Sequence, residues 1–277
     1  MKATHRSVPV SGTRLAYYTS DRPGPPVVLL HPWFGCPQFW CPTVAHLADR
    51  RCYVVDLYSP AGGDWSAVAS PEGLAGAVLA MLDAERLDRV DLVGNSLGGI
   101  VAQLLASTAP DRVRRLVLVG TGASTDGVLP GFGEKVSQWI AGASRASAPR
   151  AEVAEIVDML VTRRPDPATW EGFVEAVWRT DPAYLAAVLA AARSLDLTPR
   201  LPQIAAPTLV IRGGHDCART PAHVAALVAG IPRARAVELP DAGHAAMVDH
   251  PEEFSRLVAA HLAGWWPDPP EQSASTR

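Results

Sequence analysis

Apolar residues along this chain change period in a regular way. Apolar-rich runs at "RLAYY" (14–18), "VVLLH" (27–31), "CYVVDL" (52–57), "VDLVGN" (90–95), "RLVLVG" (115–120), "TLVIRG" (208–213) and "RAVELP" (235–240) predict strands. The second is apolar at every position before His31, which suits a sheet buried on both faces. Between these runs, apolar residues at three- and four-residue spacing predict helices over 38–49, 71–85, 97–109, 221–230 and 251–262. Pro71 and Pro251 open two of them, and Pro110 stops a third. Strands alternating with helices at this spacing predict an α/β fold with a mostly parallel central sheet and helices on both faces.

After Gly122 the alternation lapses. "GASTDGVLPGFG" (122–133) reads as a loop, and from there to about Pro202 only helical stripes appear. Val153, Ile156, Val157, Leu160 and Val161 form one stripe. Trp170, Phe173, Val174, Val177 and Trp178 form a second, and Leu185, Val188, Leu189 and Leu195 a third. The expected organisation is an α/β core made of 1–122 and 204–265, a helical insert over 123–203, and a disordered tail over 266–277.

Composition narrows the function classes. The 277 residues are 48% hydrophobic and 19% charged, with a formal net charge of −3. That balance gives no electrostatic reason to expect nucleic acid or an anionic membrane as partner. The densest basic run, "DRVRR" (111–115), reads as a solvated link from helix to strand. No apolar h-region follows the first residues and no stretch is long enough to cross a bilayer, so the expected location is cytoplasmic. The four cysteines (36, 41, 52 and 217) form neither a disulfide framework nor a zinc-ligand pattern, so no metal is expected. Monomer and homodimer fit the sequence equally.

The candidate chemistry lies where the fourth of these strands meets its helix. Gly94-Asn95-Ser96-Leu97-Gly98 matches G-x-S-x-G, in which a tight strand-to-helix turn projects a serine and leaves no room for side chains two residues to either side. A free serine is a poor nucleophile and needs a base, a group orienting that base, and donors for an oxyanion. The helix N-terminus beneath Ser96 favours developing negative charge, and the Leu97 N–H is the natural first donor. Acid and histidine are expected later in the chain, each on a loop after a strand. "GHDCART" supplies Asp216 and "DAGHAAMVDHPEEF" supplies His244. Asp241 and Asp249 read better as turn or helix-cap residues, His215 adjoins Asp216 on an extended segment where neighbours point apart, and His250 before Pro251 suits an exposed cap position. The second oxyanion donor is expected from His31-Pro32-Trp33-Phe34-Gly35. Pro32 lacks an N–H, so the Trp33 backbone takes that role.

Taken together, "LLHPWFG", "VGNSLGGIVAQLLA", "DRVRRLVLVGTGA", "PTLVIRGGHD" and "DAGHAAMVDHPEEF" resemble the α/β-hydrolase superfamily over roughly residues 10–265, in particular its small capped members such as enol-lactonases, esterases and meta-cleavage C–C hydrolases. The resemblance implies a Ser96–His244–Asp216 triad, no cofactor, and a helical cap inserted after the sixth strand. Serine rather than aspartate at 96 argues against dehalogenase and epoxide hydrolase chemistry. There are departures. The family usually has His-Gly where this chain has His31-Pro32, and "DLYSPAGGDWS" replaces the usual Asp-x-x-Gly-His-Gly-x-Ser segment. Meta-cleavage enzymes usually carry Trp after the catalytic histidine, whereas this chain has Ala245.

The function this implies is hydrolysis of an ester, lactone or thioester of a small organic substrate with an activated carbonyl. Trp33, Phe34, Asn95, Phe132, Trp139 and Trp178 are the candidate pocket residues. Arg145, Arg179 and Arg193 read as solvated helix positions rather than contacts for a substrate carboxylate. Three alternatives use the same residues: a C–C hydrolase or lyase, a tailoring enzyme acting on carrier-bound intermediates, and a ligand-binding, non-hydrolytic member of the fold.

Overall fold

A computed structural model describes residues 3–142 and 149–264. Its centre is an eight-stranded sheet: β1 (Thr4–Val10), β2 (Thr13–Thr19), β3 (Pro26–Leu30), β4 (Arg51–Asp56), β5 (Val90–Asn95), β6 (Val113–Val119), β7 (Thr208–Gly213) and β8 (Ala234–Leu239). The strand order is β1-β2-β4-β3-β5-β6-β7-β8. The β1–β2 and β2–β4 pairs are antiparallel and the remaining pairs parallel. Central strands carry the most apolar runs, and Val27 to Leu30, Leu92, Val93 and Leu116 to Leu118 have no exposed surface. A sheet buried on both faces leaves no position for an outward polar residue.

Ten helices join these strands among the described residues: α1 (Cys41–His46), α2 (Pro71–Ala84), α3 (Leu97–Thr108), α4 (Pro130–Gly142), α5 (Arg150–Met159), α6 (Pro167–Trp178), α7 (Pro182–Arg193), α8 (Pro221–Gly230), α9 (Ala246–Asp249) and α10 (Pro251–Ala263). Their ends follow local chemistry. The Ser70 hydroxyl accepts the Gly73 N–H ahead of α2, and the Asp166 carboxylate accepts the Ala168 and Thr169 N–H groups ahead of α6. Gly264, at φ +99°, stops α10 in the left-handed conformation.

Helices α4 to α7 all fall between β6 and β7, within the stretch that lacks strand patterns. Side chains tie them to loops at the carboxyl ends of β3 and β4. Trp33 Nε1 donates to the Leu185 carbonyl (3.1 Å), and the Tyr184 hydroxyl donates to the Leu57 carbonyl (2.6 Å).

Three expectations differ from the fold. β1 was not among the predicted strands, because only Val8 and Val10 of "THRSVPV" are buried on this edge strand. The helix expected over 38–49 is a 3-10 turn (Pro37–Trp40) followed by the short α1, since Pro42 removes an N–H early in the run. α4 begins at Pro130, inside the stretch read as loop. The tail over 266–277 and Arg145 lie outside the described residues.

Candidate active site

The β5–α3 junction is a turn that tolerates almost no side-chain volume. Ser96 sits there at φ +52°, ψ −111°, a conformation in which a non-glycine residue is strained by about 1–3 kcal/mol. The surroundings hold it in place: the Ser96 N–H donates to the Val119 carbonyl (2.9 Å), and the Ser96 carbonyl accepts the Ile100 N–H (3.0 Å) and the Thr121 hydroxyl (2.9 Å). A Cβ on Gly94 would lie 2.2 Å from the Gly98 carbonyl oxygen, and one on Gly98 would lie 2.3 Å from that of Leu30. Both glycines are therefore steric requirements of the turn.

Ser96 opens onto a cavity of about 610 Å³ between the sheet edge and helices α4 and α7. Trp33 and Leu97 also line it. Neither backbone N–H donates to a protein acceptor among the described residues, so both remain available to a ligand. The loop carrying Trp33 is closed by the Gly35 N–H on the Pro32 carbonyl (3.0 Å), with Phe34 at φ +59°. His31 braces that loop: its Nε2 accepts the Leu57 N–H (3.0 Å), so Nδ1 carries the proton and donates to the Pro32 carbonyl (2.9 Å).

Behind the cavity wall, His244 Nδ1 lies 2.8 Å from Asp216 Oδ1, with both side chains buried. The same oxygen accepts the N–H groups of Ala218 (2.8 Å) and Arg219 (2.9 Å). Burial alone would raise the Asp216 carboxyl, but the charge and hydrogen bond of His244 and these two N–H groups outweigh it and hold it below the usual range. An ionised carboxylate only accepts, so His244 Nδ1 is the donor in this contact. No hydrogen bond joins Ser96 Oγ to His244 among the described residues. Phe132 stands beside the imidazole, ring centroids 6.1 Å apart, and also lines the cavity.

The His244 loop is held from three sides. Asn95 Nδ2 donates to the His244 carbonyl (3.1 Å) and to the Val119 carbonyl (2.9 Å). The Ala245 N–H donates to Leu160 (2.8 Å), and the Gly243 N–H to Asp249 Oδ2 (2.7 Å).

Of the six candidate pocket residues, Trp33 and Phe132 line the cavity that holds Ser96. Asn95 does not, because its amide is spent beneath the turn on the two carbonyls just named. Phe34 and Trp139 form a layer behind Trp33, with centroids 4.9 Å from each other and 4.1 and 5.6 Å from Trp33. Trp178 stands at the end of α6, 42% exposed and outside the wall, because Trp170, Phe173, Val174 and Val177 occupy the buried stripe. Arg179 pairs with Glu175 along α6, as a solvated position would. Arg193 differs: it lines the cavity mouth, where it donates to the Ser137 hydroxyl (3.1 Å). Ala218 and Arg219, which the sequence reading passed over, line the cavity too. They lie on a loop, where no periodicity marks which side chains point inward.

The Alpha/beta hydrolase family model matches residues 27–257, which spans β3 to α10 and every residue of this site. The chain belongs to the alpha/beta hydrolase family. Relatives and solved structures match most of this chain. The chain is 32% identical over 256 residues to polyketide synthase ThaQ of Burkholderia thailandensis, covering 86% of the chain but only 12% of that protein. It is 29% identical over 254 residues to the pimeloyl-[acyl-carrier protein] methyl ester esterase of Pectobacterium carotovorum, covering 84% of the chain and 92% of the relative. The enol-lactonase from Burkholderia xenovorans superposes with a TM-score of 0.81 at 27% identity, covering 93% of this chain and all of that one. This alpha/beta hydrolase is thus an enzyme of the hydrolase class, with esterases and a lactonase among its relatives and structural neighbours.

Proposed function

We propose that the chain is a serine hydrolase that opens an ester, lactone or thioester of a small organic acid through an acyl-enzyme on Ser96. The observation that carries this reading is the strained Ser96 turn facing the cavity, with a buried His244–Asp216 pair behind it. His244 Nε2 takes the Ser96 proton as Oγ attacks the carbonyl carbon, through a hydrogen bond that forms once substrate fills the cavity. Asp216 holds the ring in the required tautomer and stabilises the imidazolium. The Trp33 and Leu97 N–H groups receive the oxyanion, each such donor being worth about 10²–10³ in rate. The tetrahedral intermediate expels the alcohol or thiol, which takes the proton from His244. Water activated by His244 then releases the acid. In this reading residues 123–203 act as a cap that shapes the pocket over a core made of 1–122 and 204–265.

The test is intact-mass spectrometry after treatment with a small fluorophosphonate. Wild type is expected to gain one adduct, and both Ser96→Ala and His244→Ala to gain none. Ser96→Ala should keep the wild-type circular dichroism and lose about 10⁴–10⁶ in kcat on a para-nitrophenyl ester. An adduct that persists in folded Ser96→Ala overturns the assignment.

The likeness to a segment of a polyketide synthase favours a second reading, in which the same triad acts on an acyl group carried as a thioester. Turnover of a carrier-bound thioester at a kcat/KM well above that of the matching methyl ester would select it.

A further inference from the structure

Arg219 is a buried cation with no ion pair among the described residues. Its residue is 4% exposed, and it lies three positions beyond Asp216 on the loop that forms one wall of the Ser96 cavity. One guanidinium nitrogen donates to the neutral Ser124 carbonyl (2.8 Å), while Nε has no partner. No carboxylate approaches the guanidinium within ion-pair distance among the described residues; the charge of Asp216 reaches it only from farther off, and Asp216 Oδ1 is shared with His244. A guanidinium stays protonated in proteins and is costly to bury unpaired, so this position loses stability unless something else supplies the counter-charge. Arg193 adds a second cation at the mouth of the same cavity. The one acid in the wall, Glu134, is exposed at the rim. The same wall includes the apolar Ile100, Val128 and Leu189 beside the polar Thr125, Ser137 and Gln138.

From this arrangement we propose that Arg219, assisted by Arg193, binds a carboxylate at the far end of the acyl group whose carbonyl Ser96 attacks. The substrate is then a half-ester, lactone or thioester of a dicarboxylic acid. Its carbonyl lies at the α3 N-terminus, its methylene or ring portion against the apolar part of that wall, and its free carboxylate on the planar guanidinium fork. The inference rests on the serine-hydrolase reading for its chemistry, but binding of the carboxylate does not.

The experiment has a kinetic arm and a binding arm. In the first, mono-para-nitrophenyl esters of glutarate, adipate and pimelate are compared with neutral para-nitrophenyl esters of the same chain lengths. Wild type is expected to prefer the best anionic ester by about tenfold or more in kcat/KM. Arg219→Met should lower that anionic-to-neutral ratio by about 10–100-fold, as loss of a charge-assisted bond does. A merely structural role for Arg219 would lower both esters alike and leave the ratio standing. Arg219→Lys, which keeps the charge without the fork, should lose part of the preference and serves if Arg219→Met does not fold.

In the binding arm, adipate should raise the melting temperature of Ser96→Ala, raise that of Ser96→Ala combined with Arg219→Lys by less, and leave that of Ser96→Ala combined with Arg219→Met unchanged, and inorganic phosphate should raise none of them. If no ester turns over yet adipate protects through Arg219, the subsite stands and the serine-hydrolase reading falls. If esters turn over with no anionic preference, or with one that Arg219 variants leave intact, the subsite is overturned and the hydrolase reading survives. Protection by phosphate but not by carboxylates also overturns it.

Discussion

At the scale of single residues, Asp249 links the His244 loop to the segment leading from α5 to α6. Its Oδ2 accepts the buried Gly243 N–H (2.7 Å), while Oδ1 accepts those of Thr162 (2.9 Å) and Arg163 (3.0 Å). Every one of these partners is a donor, so an isosteric amide cannot replace the carboxylate. In Asp249→Asn one end of the side chain presents N–H to N–H. The expected cost is about 2–3 kcal/mol in denaturant unfolding, with a fall in kcat of about tenfold or more as the His244 loop loosens. An Asn variant as stable and active as wild type would show that the carboxylate is not needed there. Gly98→Ala is a harsher change, because the added Cβ would meet the backbone of Leu30 and His31 rather than a flexible side chain. A loss of about 3 kcal/mol or more is expected in the same measurement. Both glycines were legible in the sequence because the motif states the steric demand directly. The Asp249 bridge was not, since it joins residues 86 or more positions apart whose identities suggest no pairing.

Elements were legible in proportion to how cleanly their burial follows one period. β3, β5 and β6 are apolar through their centres, and α2 buries Leu74, Val78, Met81 and Leu82 at helical spacing. β1 was missed because a solvated edge strand has little hydrophobic pattern to show. α10 carries a feature that composition does not reveal. His261 is buried on its inner face, where Nε2 donates to the Pro207 carbonyl (3.2 Å). Burial and the nearby Arg115 charge push the imidazole down to about 4, while hydrogen bonds to the Pro207 and Leu116 backbone oppose the shift. The folded value lies below the unfolded value of about 6.5. Stability is therefore complete above pH 6.5 and falls as pH drops toward 4, because over that window the unfolded chain binds a proton that the folded one refuses. Up to about 3 kcal/mol is at stake. His261→Gln should flatten this part of the stability profile between pH 7 and pH 4.5. An equal fall in wild type and variant would mean that His261 does not titrate as described.

At the scale of the whole molecule, the position of the helical insert follows from a few polar contacts on α7. The Tyr184 hydroxyl reaches the Leu57 carbonyl after β4 (2.6 Å), Trp33 Nε1 reaches the Leu185 carbonyl (3.1 Å), and Trp65 Nε1 reaches Asp181 (3.3 Å). Sequence periodicity showed that an insert exists, but not which loops it would touch, because the contacting atoms are mostly backbone carbonyls common to every residue. One of these bonds comes from Trp33, which also lines the cavity. The docking of α7 and the placement of the Trp33 loop are thus coupled through one side chain. Removing the other two bonds tests how far α7 depends on them. In Tyr184→Phe combined with Trp65→Phe, a buried carbonyl and a partly exposed carboxylate lose their donors, a loss of about 2–3 kcal/mol. If α7 opens as a local unit, its amides should exchange with solvent roughly 30–100 times faster than in wild type, while amides of β5 and α3 keep their protection. Fluorophosphonate labelling of Ser96 should accelerate in parallel, since an open α7 leaves the cavity less enclosed. Uniformly faster exchange across sheet and insert would mean that the insert unfolds only with the core. Unchanged exchange in α7 would mean that apolar packing of Leu185, Val188 and Ala192 holds it without these bonds.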